Sequence, residues 1–295
     1  MNNTETKGML FGLLGVMAFG LTLPMTKIIT PYLDPIFIGL GRSSLASILA
    51  ILILIKFTNS IPTKKQFAQL IVVALGVVIG FPIFTSIAMQ SVPASHGAIV
   101  VGILPLATAV AGAIIAKERP SVSFWIMSLI GTILVISYTI LESGGTLQKA
   151  DIALFIAILS VSIGYAVGGK LSKELEGWQV ICWALVISFP FIIIPTIIHA
   201  PNDITNFPIS VYVSFLYLTL ISQLFGFFVW YKGLAMGGIA RVSQIQLLQT
   251  FITIGASIVL LGEKINLQMV IFSILVVGSV WIGKKMPINI MKENI

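Results

Sequence analysis

Charge is what this chain has least of. Asp, Glu, Lys and Arg make up 9% of its 295 residues against 57% hydrophobic residues, and the mean hydropathy is +1.07. That leaves too little polar surface for a globule in water, and the composition reads as a polytopic membrane protein. Cysteine is limited to Cys182, which excludes an internal disulfide and any cysteine-built metal cluster. The two histidines, His96 and His199, sit at the ends of apolar runs, so a histidine-held metal is not expected. HExxH, GxSxG and paired aspartates within an apolar run are all missing, so a membrane-embedded enzyme would have no reactive constellation, and no cofactor is expected. Long polar linkers are missing too, which leaves the spans and their ends to carry any function. The ten acids all fall at termini, loops or span ends. With no carboxylate in mid-membrane, a cation antiporter built on an intramembrane glutamate is disfavoured.

What the chain does have is long apolar runs. A hydrocarbon core of about 30 Å needs about 20 apolar residues per helix. Runs of that kind occupy 8–29, 35–56, 68–89, 94–116, 122–141, 151–170, 178–199, 208–231, 239–261 and 266–283. Lys7 precedes the first run, but that run outlasts a signal peptide and lacks a small-residue cleavage site, so it is expected to be an uncleaved first span. With the N-terminus in the cytoplasm, thirteen Lys and Arg fall inside and only Lys149 and Lys264 outside. This is the positive-inside pattern for ten spans with both termini cytoplasmic. The net charge of +7 is therefore topological, and no nucleic-acid partner is expected.

The chain also repeats itself. A shift of 145 residues lays Glu118 on Glu263, Arg119 on Lys264, Thr108 on Thr253 and Pro105 on Thr250, and a shift of 144 lays Gly20 on Gly164 and Pro24 on Gly168. Each half, 1–147 and 148–295, then holds five spans, and an odd number inserts the second copy upside down. The expected fold is an all-α polytopic membrane protein whose ten transmembrane helices form two inverted-topology five-helix repeats, a common build for carriers. That build points to interrupted helices at matching places, and the Gly/Pro-bearing stretches "GLTLP" (20–24) and "GYAVG" (164–168) either supply them or simply permit close helix packing.

The segments "PASHGAIVVGILPLATAVAGAIIAKE" (93–118) and "WYKGLAMGGIARVSQIQLLQTFITIGASIVLLGEK" (230–264) resemble the fourth and ninth spans of the EamA family, within the drug/metabolite transporter superfamily. The family pattern of a small residue, a mid-helix proline and a terminal glutamate falls on Ala98, Pro105 and Glu118, and in the second copy on Ser243, Thr250 and Glu263. Thr250 departs from the proline. "DPIFIGLGRSSLA" (34–46) resembles the second span, with Arg42 at its arginine. The resemblance implies a carrier in a bacterial cytoplasmic membrane that exports an amino acid or derivative; the alternative is uptake or exchange of an organic anion or nucleotide-like metabolite.

Polar residues at membrane depth are costly and face the bundle interior. At 100° per residue, Ser243, Gln246, Gln249, Thr250, Thr253 and Ser257 share one arc of the ninth span, with Gln244 opposite. On the fourth span the same arc holds Ala98, Gly102, Pro105 and Thr108. Gln246 and Gln249 either meet a small-molecule substrate in a central cavity or bond helix to helix. Arg42 either forks onto a carboxylate or phosphate or serves structure near the outer mouth. Phe84, Gln90, Tyr165, Gln223 and Trp230 are further candidates for the cavity wall, and Glu118 and Glu263 are gates or plain helix ends. Oligomeric state stays open, with a monomer admissible: Gly76 and Gly80 suit either a dimer seam or internal packing. Besides the substrate, the lipid bilayer is the expected partner.

Overall fold

The computed structural model describes residues 3–58, 61–116, 118–142, 148–264, 266–284 and 288–290. Eight helices among them are long and apolar enough to cross a membrane: α1 (Asn3–Ile29), α2 (Pro35–Phe57), α3 (Lys64–Ser91), α4 (Ala94–Ile115), α6 (Lys149–Leu171), α7 (Gly177–Ile198), α8 (Ile209–Gly237) and α9 (Ile239–Leu261). Two more helices, α5 (Val122–Glu142) and α10 (Leu267–Lys284), carry shorter apolar stretches at Trp125–Tyr138 and Leu267–Ser279. Glu118–Pro120 (β1) pairs antiparallel with Ile288–Ile290 (β2), the one departure from helix among the described elements.

Local chemistry sets the helix ends. Asp34 starts α2 by accepting the amides of Ile36 (2.8 Å) and Phe37 (3.3 Å), with Pro35 in the first turn. Thr63 and Gln66 close a capping box on α3. Gly262, at φ +66°, takes the left-handed conformation that ends α9.

The helices pack in a pattern that maps onto itself when α1–α5 are exchanged for α6–α10. α1 lies antiparallel to α8, with Phe19 4.9 Å from Phe227 at mid-length and Ser214 Oγ 3.3 Å from Met25 Sδ further along. α3 and α6 repeat that arrangement, from Gln66 Nε2 donating to Glu174 (3.1 Å) to the contact of Gly80 with Ser160. α2 packs on α7 through Ser44 and Thr196 (3.0 Å) and through Ser47 donating to the Leu185 carbonyl (3.0 Å). α4 packs on α9, and α5 on α10. α4 runs beside α6 in the same direction, with His96 by Asp151 at one end and Lys170 by the Ile115 carbonyl at the other. Because α3 runs against α6 and α1 against α8, the two halves are oppositely directed. A side chain at Gly76 would collide with the Ser160 carbonyl, so this small-residue pair serves the α3–α6 seam inside the molecule. Outward-facing Leu52, Ile55, Leu129, Phe191 and Ile194 form the exposed apolar surface expected against lipid.

The interruptions differ from the sequence expectation. α1 does break, at Leu21, but α6 runs unbroken through 164–168. Its glycines instead admit neighbours: Gly168 sits against the Tyr231 ring and Gly164 against Val77. The matched irregularities lie elsewhere. α4 breaks at Gly102–Ile103 ahead of Pro105, and α9 tightens into a 3-10 turn at Gln244–Gln246 although Thr250 replaces the proline. More unusually, α3 and α8 each contain a π segment, Ala74–Gly80 and Tyr217–Phe225. π geometry is rare and concentrates at functional positions. Here the Val78 carbonyl accepts from Ser43 Oγ (2.8 Å) and the Val77 carbonyl from Gln223 Nε2 (3.4 Å), so groups from other helices satisfy the altered ladder.

Candidate functional site

The polar stripe on α9 faces the centre of the bundle. Gln246, Gln249, Thr250 and Thr253 meet Leu23 of α1 and Ala98, Val101 and Leu104 of α4 around a closed cavity. The centre of a water-sized sphere has only about 10 Å³ in which to move there, the least space that holds one water. Both amide atoms of Gln246, Oε1 of Gln249 and the hydroxyl of Thr108 are buried without a hydrogen-bond partner. Unpaired buried polar groups cost about 1–3 kcal/mol each, so several in one place mark a site built to be filled. The hydroxyls of Ser243, Thr253 and Ser257 are used internally. Thr253 Oγ1 donates to the Gly20 carbonyl (2.6 Å), which the break in α1 leaves available, and Ser243 Oγ donates to the carbonyls of Ala240 (3.0 Å) and Pro105 (3.4 Å).

A second buried cluster lies one turn further back along α1. Phe19, Tyr165, Phe227 and Trp230 pack their rings together at mostly tilted and edge-on angles, with Tyr165 5.3 Å from Trp230 and Phe19 6.0 Å from Trp230. Arg42, only 1% exposed, interacts electrostatically with Tyr165. Its Nε and Nη1 have no partner, nor does the indole N–H of Trp230. The structure thus packs Tyr165 against Trp230, with Arg42 in electrostatic range of Tyr165, and sets Gln246, Gln249, Thr250 and Thr253 in a neighbouring group. Gln223 belongs to neither, being spent on the π segment of α3. Phe84 is half-buried against the main core and does not reach the small cavity. Gln90 is a correction: it is exposed in the last turn of α3, because its neighbour Met89 takes the inward position.

Both ends of the bundle are closed over this centre. At one end the Glu263 carboxylate accepts the first amides of α4, from Ala94 (2.8 Å) and Ser95 (2.9 Å). Beside it His96 Nε2 meets Asp151 Oδ1 at 2.7 Å, with side chains 4% and 0% exposed, and Lys27 donates to the Met89 carbonyl (2.8 Å). At the other end Arg241 pairs with Glu5 at 2.6 Å, and Lys170 reaches the Ile115 carbonyl (3.4 Å). Glu118 enters β1, and its side chain lies outside the described residues. Sequence reasoning placed every acid at a span end but missed that Asp151 is buried there. Its only local signal was the Gln148–Asp151 spacing, a helix-start pattern in which Asp151 Oδ2 accepts the Gln148 amide (3.0 Å).

Known proteins agree with this architecture. The EamA-like transporter family model matches the chain twice, over residues 6–140 and 148–282. The protein named "Uncharacterized transporter YdeK" of Bacillus subtilis (strain 168) is 40% identical over 275 residues, covering 93% of this chain and 96% of its own. "Uncharacterized transporter YyaM" of the same strain is 25% identical over 275 residues, covering 90% of each chain. A protein of known crystal structure superposes with a TM-score of 0.68 over 94% of this chain and 98% of its own at 14% identity, a likeness of fold alone. The chain, with oppositely directed halves closed over orphaned polar groups, belongs to the EamA-like transporter family of the drug/metabolite transporter superfamily.

Proposed function

We propose that the protein is a secondary carrier that moves a small polar metabolite, an amino acid or a derivative, outward across a bacterial cytoplasmic membrane. The ten helices act as ten spans, with both termini in the cytoplasm and the two five-helix halves rocking about the α4–α9 contact. The sealed cavity carries this reading. It lies where the halves meet, it is lined by the amides of Gln246 and Gln249 with atoms that have no partners of their own, and it is closed at both ends by contacts that can part. Alternating access needs a central site of this kind, exposed to one side at a time. The skewed Lys and Arg distribution supports the orientation, with the Glu263 end outside and the Arg241 end inside. No cofactor enters the scheme.

The test is counterflow in liposomes with the purified full chain, across amino acids, amino-acid derivatives, organic acids and nucleotides. One class should exchange, and Gln246→Ala should reduce that exchange at least about tenfold while the protein stays folded, the loss expected when a buried polar contact to a ligand is removed. Cysteines at Gln246 and Thr108 should react with water-soluble thiol reagents during turnover. Positions that stay protected in every condition would remove the central-cavity mechanism.

A further inference from the structure

We propose that Arg42 is the seat of an anionic group on the transported solute, so that the solute carries a carboxylate or phosphate and crosses with a net negative charge. This rests on the carrier reading above and narrows its substrate class. Arg42 lies well inside α2, is 1% exposed, and leaves Nε and Nη1 without partners. A guanidinium has donors only and keeps its charge in a protein, so it cannot escape burial by losing a proton. Such a group is tolerated at membrane depth when something neutralises it.

Nothing described in the chain does so. Glu5 is spent on Arg241, Asp151 on His96, Glu263 on the start of α4 and Asp34 on the start of α2. Glu174, Glu176 and Asp203 bond Gln66, Trp178 and Thr205 at helix ends and in a loop. Among the described residues none supplies the counter-charge, and we assign it to the solute. The surroundings match an anion: Trp230, 5.3 Å from the Tyr165 ring that couples to Arg42, offers a second N–H without an acceptor. The orphaned groups of this cluster are all donors, whereas those of the α9 stripe include acceptors. With no described carboxylate left to hold an ammonium, a net anion fits better than a zwitterion. The remainder of the solute then reaches the amides, since Phe19 and Leu23 place the two clusters one turn apart on α1.

The experiment is thermal unfolding of the full chain in lipid nanodiscs, wild type against Arg42→Met, without ligand and with four probes: lactate, its neutral counterpart lactamide, the zwitterion alanine, and glycerol 3-phosphate. Without ligand, Arg42→Met should unfold a few degrees higher, because it removes an uncompensated buried charge while keeping side-chain length. In the wild type, lactate or glycerol 3-phosphate should stabilise and lactamide should not, and the better of the two identifies the carboxylate or phosphate arm. Arg42→Met should weaken that binding by about 30-fold or more. A ligand-free Arg42→Met that unfolds below the wild type overturns the proposal whatever the probes do, because the guanidinium then already has its partners. So does an equal response to lactate and lactamide. The carrier reading fails separately: an anion that binds at Arg42 yet shows no counterflow sinks transport and leaves the site, whereas counterflow indifferent to Arg42→Met sinks the site and leaves transport.

Discussion

The two ends of the bundle are closed by different chemistry. At the Glu263 end the closing groups are mutually satisfied: a half-buried carboxylate on two helix-start amides, and a fully buried histidine–aspartate pair with side chains 4% and 0% exposed. At the Arg241 end the ion pair has side chains 48% and 34% exposed, and Lys170 adds a single long hydrogen bond. Exposed ion pairs contribute about 0–1 kcal/mol because water and salt compete for both partners. Separating the buried pair parts an imidazole and a carboxylate that the fold had matched by a short hydrogen bond. The contrast teaches that the Arg241 end is the cheaper one to open, which in the proposed orientation favours loading from the cytoplasm.

The strongest way to break this contrast is His96→Ala. It leaves Asp151 buried without its imidazole, and loss of one partner of a buried pair costs about 3–5 kcal/mol. Unfolding of the purified protein in nanodiscs should show a loss of that size, and a loss below about 1 kcal/mol would mean that water reaches the pair readily. Glu263→Gln should cost about 1 kcal/mol, since the amide keeps one acceptor but no longer opposes the positive end of α4. Limited proteolysis or labelling at the Val92–Ser95 connection should then rise while the Glu5 end stays unchanged. Glu5→Gln is the smallest change, under about 1 kcal/mol, and about 1 M salt should erase its difference from wild type. If Glu5→Gln matches His96→Ala, the asymmetry is wrong.

Composition and periodicity made the membrane helices and the α9 stripe legible, because the 100° advance per residue groups Gln246, Gln249, Thr250 and Thr253 before any neighbour is known. Arg42 was legible as costly but not as unpaired, since that depends on where every carboxylate ends up. The His96–Asp151 contact joins residues 55 apart in the chain, and only the α4–α6 packing creates it. The sequence left α6 open because glycine signals a kink and a close helix contact with the same letter, and at Gly164 and Gly168 the close contact applies. The π segment of α3 was not read from the sequence, because Ser43 and Gln223, which supply its outside donors, lie on other helices.

Those π segments make helix length itself a constrained quantity. Removing a single residue from Ala74–Gly80 would let α3 relax to ordinary i→i+4 geometry and change which carbonyls the segment presents to its neighbours. Ser43 and Gln223 would lose the carbonyls they now address, and Gly80 would leave its place against Ser160. Surface loops treat chain length as a free variable. In α3 and α8 it is fixed by hydrogen-bond register, so relatives that keep this interior must vary in length somewhere else.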